Sequence, residues 1–504
     1  MASFVNSSIF STLAGLTSLL AGFVCNVIIA RTLGPDGSGI VAFGVWAALT
    51  AYTIANFGIP NTLQRYMLRY DQPGNCGGGL ARHLLPRFLI PMTIATFGLL
   101  AYVYFFPGEA SADVYSPEIF LIITLVFLFY SIACYAEGSS RGLHRSPEIT
   151  RFAVIGSALQ IPAVVAGSLL FGAAGALAGY AVRHLPQALA VRRYIASTPE
   201  TGTRFDSNIY SYARNTWFTG MLGTIAWGRT EYLFLSFYVS PVELGFYAAG
   251  LSLAALVTQL PGHMLAALTT HLGELHDQGS TERIEKTYQR TMRWIGLSTL
   301  PICLGGAAVM SELLPMIFGD AFDGGRVVAA ILVGSAFLNT LEMVPRAVMM
   351  ARERSHVIVR ISAVFAVLSI AVFAVVVPYA GLIGAAVARI ALHGLLLSVL
   401  MIYCGRQLNL AVGIRWLLGS FAAAALCAVT AYAVLWSIGG ITGLLVAVPA
   451  GALVYFAAVR ALNCIPQEDA DVLLWTLSAV LPKRLTPLLK AVFRVLVRQE
   501  RSTK

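Results

Sequence analysis

Pro35-Asp36-Gly37-Ser38-Gly39-Ile40-Val41-Ala42-Phe43-Gly44 comes back later in the chain as Pro241-Val242-Glu243-Leu244-Gly245-Phe246-Tyr247-Ala248-Ala249-Gly250, with proline and two glycines in matching places. The two stretches lie 206 positions apart, and the same offset carries Gly175 to Gly381 and Arg183 to Arg389. Glu137 and Arg141 return as Glu342 and Arg346 at a slightly different offset. Arg145-Ser146-Pro147-Glu148-Ile149-Thr150-Arg151 returns as Arg354-Ser355-His356-Val357-Ile358-Val359-Arg360 at an offset of 209, so small insertions separate the matches. A membrane chain built from two similar halves points to a transporter that rocks one half against the other around a central site.

The letters between these landmarks are those of a membrane protein. Hydrophobic residues make up 57% of 504 and charged ones 12%, about half the charged share of an ordinary soluble domain. Fourteen apolar stretches, each long enough to cross a bilayer as a helix, follow one another at roughly 8–30, 38–59, 86–106, 117–136, 151–171, 173–193, 216–238, 242–266, 292–316, 325–349, 357–378, 380–402, 416–437 and 439–460. The first is too long for a signal-peptide core and lacks a basic start. The seven cysteines follow no ligand or disulfide spacing, which argues against a zinc site or a disulfide framework.

Positive charge sets the orientation. With the N-terminus placed in the cytoplasm, 29 of the 34 lysines and arginines fall in inward loops or the tail. The net charge of +10 is therefore read as facing a membrane surface rather than nucleic acid. Six spans precede the loop near 194–215 and six repeat them, so both halves enter the membrane in the same sense and the repeat is parallel. The expected fold is an all-α integral membrane protein of about fourteen transmembrane helices. Two six-helix lobes, 1–200 and 201–404, flank a central cleft; two additional helices occupy 405–463, packed on the side of the second half. Residues 464–504 form a basic amphipathic cytoplasmic tail in which Leu488, Leu489, Val492, Phe493 and Leu496 alternate with Lys490, Arg494 and Arg498.

Enzyme chemistry is not expected. The run Gly34 to Gly39 lacks the lysine and the preceding strand of a phosphate loop and reads as a turn. No paired-histidine metal motif occurs, and outward loops of about ten residues leave no room for a catalytic domain. No catalytic residue, metal or cofactor is expected.

The candidate functional residues are charges at bilayer depth, where an ionisable group is costly unless it meets a partner or a wet cavity. Arg183 and Arg389 lie at similar depth in spans 6 and 12, each with a polar neighbour one turn on, Gln187 and His393. Two guanidiniums facing one cavity would suit a phosphate-bearing ligand, because the arginine fork matches phosphate and stays charged when buried. The competing reading is that each arginine only satisfies backbone carbonyls or a helix dipole. Arg229 and Glu231 lie mid-span in span 7, two residues apart and so on different helix faces. Arg229 is a candidate third phosphate ligand and Glu231 a candidate proton or sodium site; pairing with neighbouring helices is the alternative. Glu137–Arg141 and Glu342–Arg346 are i,i+4 pairs, read as structural clamps or inner-gate pairs. Asn56, Asn61, Gln64 and Arg65 close span 2 at its inner end.

Ala30-Arg31-Thr32-Leu33-Gly34-Pro35-Asp36-Gly37-Ser38-Gly39, then Asn56-Phe57-Gly58-Ile59-Pro60, and at the second half Ser240 through Gly250, resemble the polysaccharide-repeat flippases of the multidrug/oligosaccharidyl-lipid/polysaccharide exporter superfamily. The resemblance covers about residues 5–460. It implies alternating access in a bacterial inner membrane and flipping of undecaprenyl-diphosphate-linked oligosaccharide repeat units for O-antigen, exopolysaccharide or capsule, with membrane lipids and polysaccharide polymerase or assembly proteins as partners. Many members carry an acidic residue where this chain has Asn56. Lipid II flippases carry more arginine in span 1, where this chain has Cys25 and Asn26; drug/sodium antiporters usually have twelve spans. A cation-coupled small-molecule or multidrug exporter, a lipid II flippase and a membrane polysaccharide polymerase are the rival readings.

Overall fold

A computed structural model describes residues 2–70, 78–105, 116–196, 205–411 and 413–466. The expected amphipathic tail lies almost wholly outside the described residues. The described chain is helical: α1 (Ala2–Ala55), α2 (Ile59–Tyr66), α3 (Gly78–Phe105), α4 (Pro117–Gly142), α5 (Ser146–Ile195), α6 (Asn208–Trp227), α7 (Glu231–Tyr238), α8 (Pro241–Asp277), α9 (Thr281–Ala308), α10 (Met310–Phe318), α11 (Arg326–Ala351), α12 (Ser355–Gln407), α13 (Ile414–Ile438) and α14 (Gly440–Ala461).

Length alone shows that three of these cannot be straight. A continuous helix of 50 to 54 residues would run about 75–80 Å, more than twice the hydrocarbon thickness of a bilayer. Each has one non-helical residue, always glycine: Gly34 in α1, Gly172 in α5 and Gly381 in α12. Gly172 (φ 59°, ψ −139°) and Gly381 (φ 52°, ψ −140°) share a conformation closed to residues with a side chain. Around Gly172 the arms of α5 fold back: Gly167 lies against Gly175, Val164 against Gly179 and Gly156 against the Arg183 backbone. Among the described residues nine helices are long and apolar enough to cross a membrane, or ten if bent α9–α10 counts once. Fourteen crossings remain the expectation from sequence.

Two span-sized stretches are broken. α9 and α10 meet at 83° around Val309. The expected span 7 is interrupted between α6 and α7, where Gly228 is extended (φ −83°, ψ −154°) and Thr230 Oγ1 donates to the Ile225 carbonyl at 2.7 Å.

The chain divides into two compact units that cut α8 and α12. The first holds residues up to Ser252 together with Phe318–Gly325 and His356–Ala388. In it α1 and α4 pack on α5, and α2 lies on α4. Both hairpin sequences of the repeat meet here. A Cβ on Gly39 would collide with the Pro241 carbonyl, and one on Gly245 with the Pro35 carbonyl. This reciprocal contact of repeat equivalents is what an isologous, two-fold interface demands, and only glycine permits the backbone approach.

The second unit holds Leu253–Ile317, Arg326–Ser355 and the chain from Arg389 on. α11 and α13 pack on α9, and α14 folds back on α13. Leu300, Ala423, Ala424, Cys427 and Val459 form one core, and the Tyr455 hydroxyl donates to the Leu297 carbonyl at 2.6 Å. α13 and α14 both contact α9.

Candidate functional site

The second arm of α5 carries Tyr180, Arg183, His184 and Gln187 at positions i, i+3, i+4 and i+7, a single helical stripe. Arg183 stands eleven residues past Gly172, about 16 Å along the helix, well inside the apolar segment. Its Nη1 donates to Oε1 of Gln160 on the other arm at 3.1 Å. Gln160 is fully buried, and its Nε2 has no hydrogen-bond partner.

Aromatic and amide groups of α1 and α4 complete the surroundings. The Tyr180 hydroxyl donates to Asn26 Oδ1 at 2.9 Å. The Tyr130 ring meets His184 edge-on at 5.0 Å and Tyr52 edge-on at 4.9 Å. The Cys134 thiol lies beside the side chains of Tyr52 and Tyr130. The charge of Arg183 acts on Tyr180, Cys25 and Tyr130, and Tyr130 also feels Glu137. Arg183 is thus a half-buried guanidinium inside an apolar segment, held by the Gln160 amide. Gln187 is half-buried one turn further on.

Arg229 does not lie on a helix. It sits in the break between α6 and α7, exposed, with its guanidinium 5.9 Å from the Tyr232 ring centre. The expectation that Arg229 and Glu231 occupy two faces of one continuous helix is therefore corrected: the helix stops before Arg229 and restarts at Glu231. Arg229 remains close enough to act electrostatically on Tyr180. Glu231 is 1% exposed, opens α7, and accepts from the Tyr247 hydroxyl at 3.1 Å. A carboxylate at a helix N-terminus is favoured by the helix dipole. Tyr232 stacks on Trp46 at 6.1 Å.

In the second unit Oε2 of Glu342 lies 3.2 Å from Nδ1 of His393, and both side chains are buried. His393 thus holds a carboxylate. Arg346, one turn from Glu342, feels its charge. Arg389 is half-buried eight residues past Gly381. The matching turn glycines place His184 opposite His393 in the repeat and Arg183 opposite Leu392, whereas the expectation paired Arg183 with Arg389. Counted from the turn, the two arginines differ by three residues, close to one helical turn.

Glu137 and Arg141 form the expected i,i+4 pair, with Arg141 Nε and Nη2 donating to Oε1 at 2.9 and 2.6 Å. Asn56 closes a turn: its Oδ1 accepts from the Gly58 N–H at 2.8 Å and its Nδ2 donates to the Thr53 carbonyl at 3.0 Å. Asn26, Tyr52, Tyr130, Cys134, Gln160, Tyr180 and His184 were absent from the sequence candidates. The stripe spacing of Tyr180, Arg183, His184 and Gln187 was the signal that could have found part of the cluster.

Similar proteins bear on what this arrangement serves. The chain is 24% identical over 186 residues to the protein named "Probable flippase AglR" of Haloferax volcanii, a match that spans 36% of this chain and only 39% of that one. Its fold matches a lipid II flippase MurJ in an inward closed conformation with TM-score 0.66 and 13% identity, over 91% of this chain and 98% of that one. It also matches an inward-facing multidrug resistance MATE family transporter of the MOP superfamily with TM-score 0.61 and 16% identity, over 80% and 98%. Residues 4–268, more than half of the chain, match the profile of the polysaccharide biosynthesis proteins, and the chain belongs to that family.

Proposed function

We propose that the protein is a flippase that moves a lipid-linked oligosaccharide, carried on undecaprenyl diphosphate, across a bacterial inner membrane during surface polysaccharide assembly. The observation that carries this reading is Arg183, a half-buried cation inside an apolar helix segment, held in place by the neutral amide of Gln160. In this reading Arg183 receives the diphosphate, aided by Arg229, Gln187 and Arg389. Lobes 1–200 and 201–404 alternate access around the ligand, and both termini face the cytoplasm. Glu231 is the coupling site for a proton or sodium ion, and His393 serves Glu342 rather than the substrate. Polysaccharide polymerase or assembly proteins would receive the exported unit.

Deletion of the gene in its host should leave lipid-linked repeat units on the cytoplasmic leaflet and remove surface polysaccharide. The native chain should restore export, and Arg183→Ala should not, although it inserts normally. Intact polysaccharide with lost tolerance to drugs or metabolites would instead support the exporter reading, for which the buried Glu231–Tyr247 pair is the favourable feature.

A further inference from the structure

A second basic site lies apart from the Arg183 cluster, on the lateral surface of the first unit. A cleft of about 540 Å³ opens between the start of α2, the first half of α3 and the first half of α6. Ile59 forms its buried floor, and Phe57 stacks on Trp217 with ring centres 4.8 Å apart and planes at 14°. Trp217 is fixed by its Nε1, which donates to the Ile54 carbonyl at 2.9 Å. The walls are almost wholly apolar, but two exposed arginines, Arg87 and Arg214, join the lining, and no acidic residue does.

Arg87 is oriented. Its guanidinium lies 4.7 Å from the Tyr210 ring centre, and Nη1 is 3.4 Å from Nε2 of His83, which in turn is 2.7 Å from the Tyr210 hydroxyl. Above Arg87 the outer face of α3 continues as Ile90, Ile94 and Phe97, which are 61%, 67% and 67% exposed. Their spacing of i, i+4 and i+7 makes one apolar ribbon running away from the cation. The arginines lie at the end of α3 and α6 that the loop charges mark as cytoplasmic. A pair of cations at the leaflet surface followed by an apolar ribbon matches an amphiphile with an anionic head. Basic pockets between membrane helices on that side suit anionic lipid headgroups.

We propose that this cleft is a binding site for an anionic phospholipid of the cytoplasmic leaflet. The phosphodiester sits between Arg87 and Arg214, and one acyl chain lies against Trp217 and along Ile90, Ile94 and Phe97. The proposal does not depend on what the Arg183 cluster transports.

Trp217 supplies the readout. The full chain is placed in lipid nanodiscs containing phosphatidylglycerol or phosphatidylcholine with brominated acyl chains, and the emission of Trp217 is taken as the difference between the native chain and Trp217→Phe. The expected result is several-fold stronger quenching by the brominated phosphatidylglycerol. Arg87→Gln with Arg214→Gln should abolish that preference while leaving quenching by phosphatidylcholine and the melting temperature unchanged. Equal quenching by both lipids, or a preference that survives the double substitution, would overturn the proposal. Relief of quenching by small amounts of undecaprenyl phosphate would overturn it too, and would assign the cleft to the carrier lipid instead.

Discussion

α5 and α12 break at Gly172 and Gly381 in the same glycine conformation and differ in the charges that follow. After Gly172 the stripe presents Arg183 beside His184, with a buried amide and tyrosine rings as neighbours. After Gly381 the equivalent histidine, His393, is tied to buried Glu342, and the place of Arg183 is taken by Leu392. After the first turn a cation is held by a neutral amide, and after the second a carboxylate has an imidazole beside it. In the second, carboxylate and imidazole satisfy each other inside the protein.

The largest effect should come from breaking the satisfied copy. Glu342→Ala leaves the buried His393 ring without its hydrogen-bond partner and should cost up to about 3 kcal/mol of stability, read by thermal unfolding in detergent. A cycle with His393→Leu should return part of that loss; strict additivity would show that the pair is not coupled. Next is the scaffold: Gly172→Val and Gly381→Val each force a side chain into a backbone region reserved for glycine, at about 1–3 kcal/mol per site, and near-equal losses would sharpen the equivalence of the two turns.

Arg183→Ala should behave in the opposite way from Glu342→Ala. Binding of a lipid diphosphate should weaken by about 1.5–3 kcal/mol, or roughly 10–100-fold, with little loss of stability. Arg183→Lys should recover only part of it, since a point charge replaces a two-pronged donor. If Arg389→Ala weakens binding equally, the two copies share the ligand after all. The smallest effect belongs to Glu137→Gln, whose pair is 32–41% exposed and should yield less than about 1 kcal/mol in the same unfolding measurement.

Much of the scaffold is legible in the sequence alone. Apolar runs of bilayer length, the repeated proline and glycines, and Glu137–Arg141 at i,i+4 are local patterns, and local patterns survive into structure. The reciprocal approach of Gly39 to Pro241 and Gly245 to Pro35 gives a steric reason for glycine at both positions. The site was less legible. Gln160 reads as one polar letter in an apolar span, and nothing in its neighbourhood announces that Arg183 lies across from it. Arg229 sits in a stretch apolar enough to pass for a single span, yet the helix breaks there.

The sequence by itself determined that the chain is helical, that it is built for a membrane and that it is written twice, because hydropathy and repetition are properties of neighbouring letters. Only the tertiary structure decided which charges meet. The face a side chain shows depends on where the backbone turns, and Gly172 and Gly381 set that register three residues away from the best letter match. Partners such as Gln160 for Arg183 and His393 for Glu342 lie 23 and 51 positions away and come together only when the helices pack.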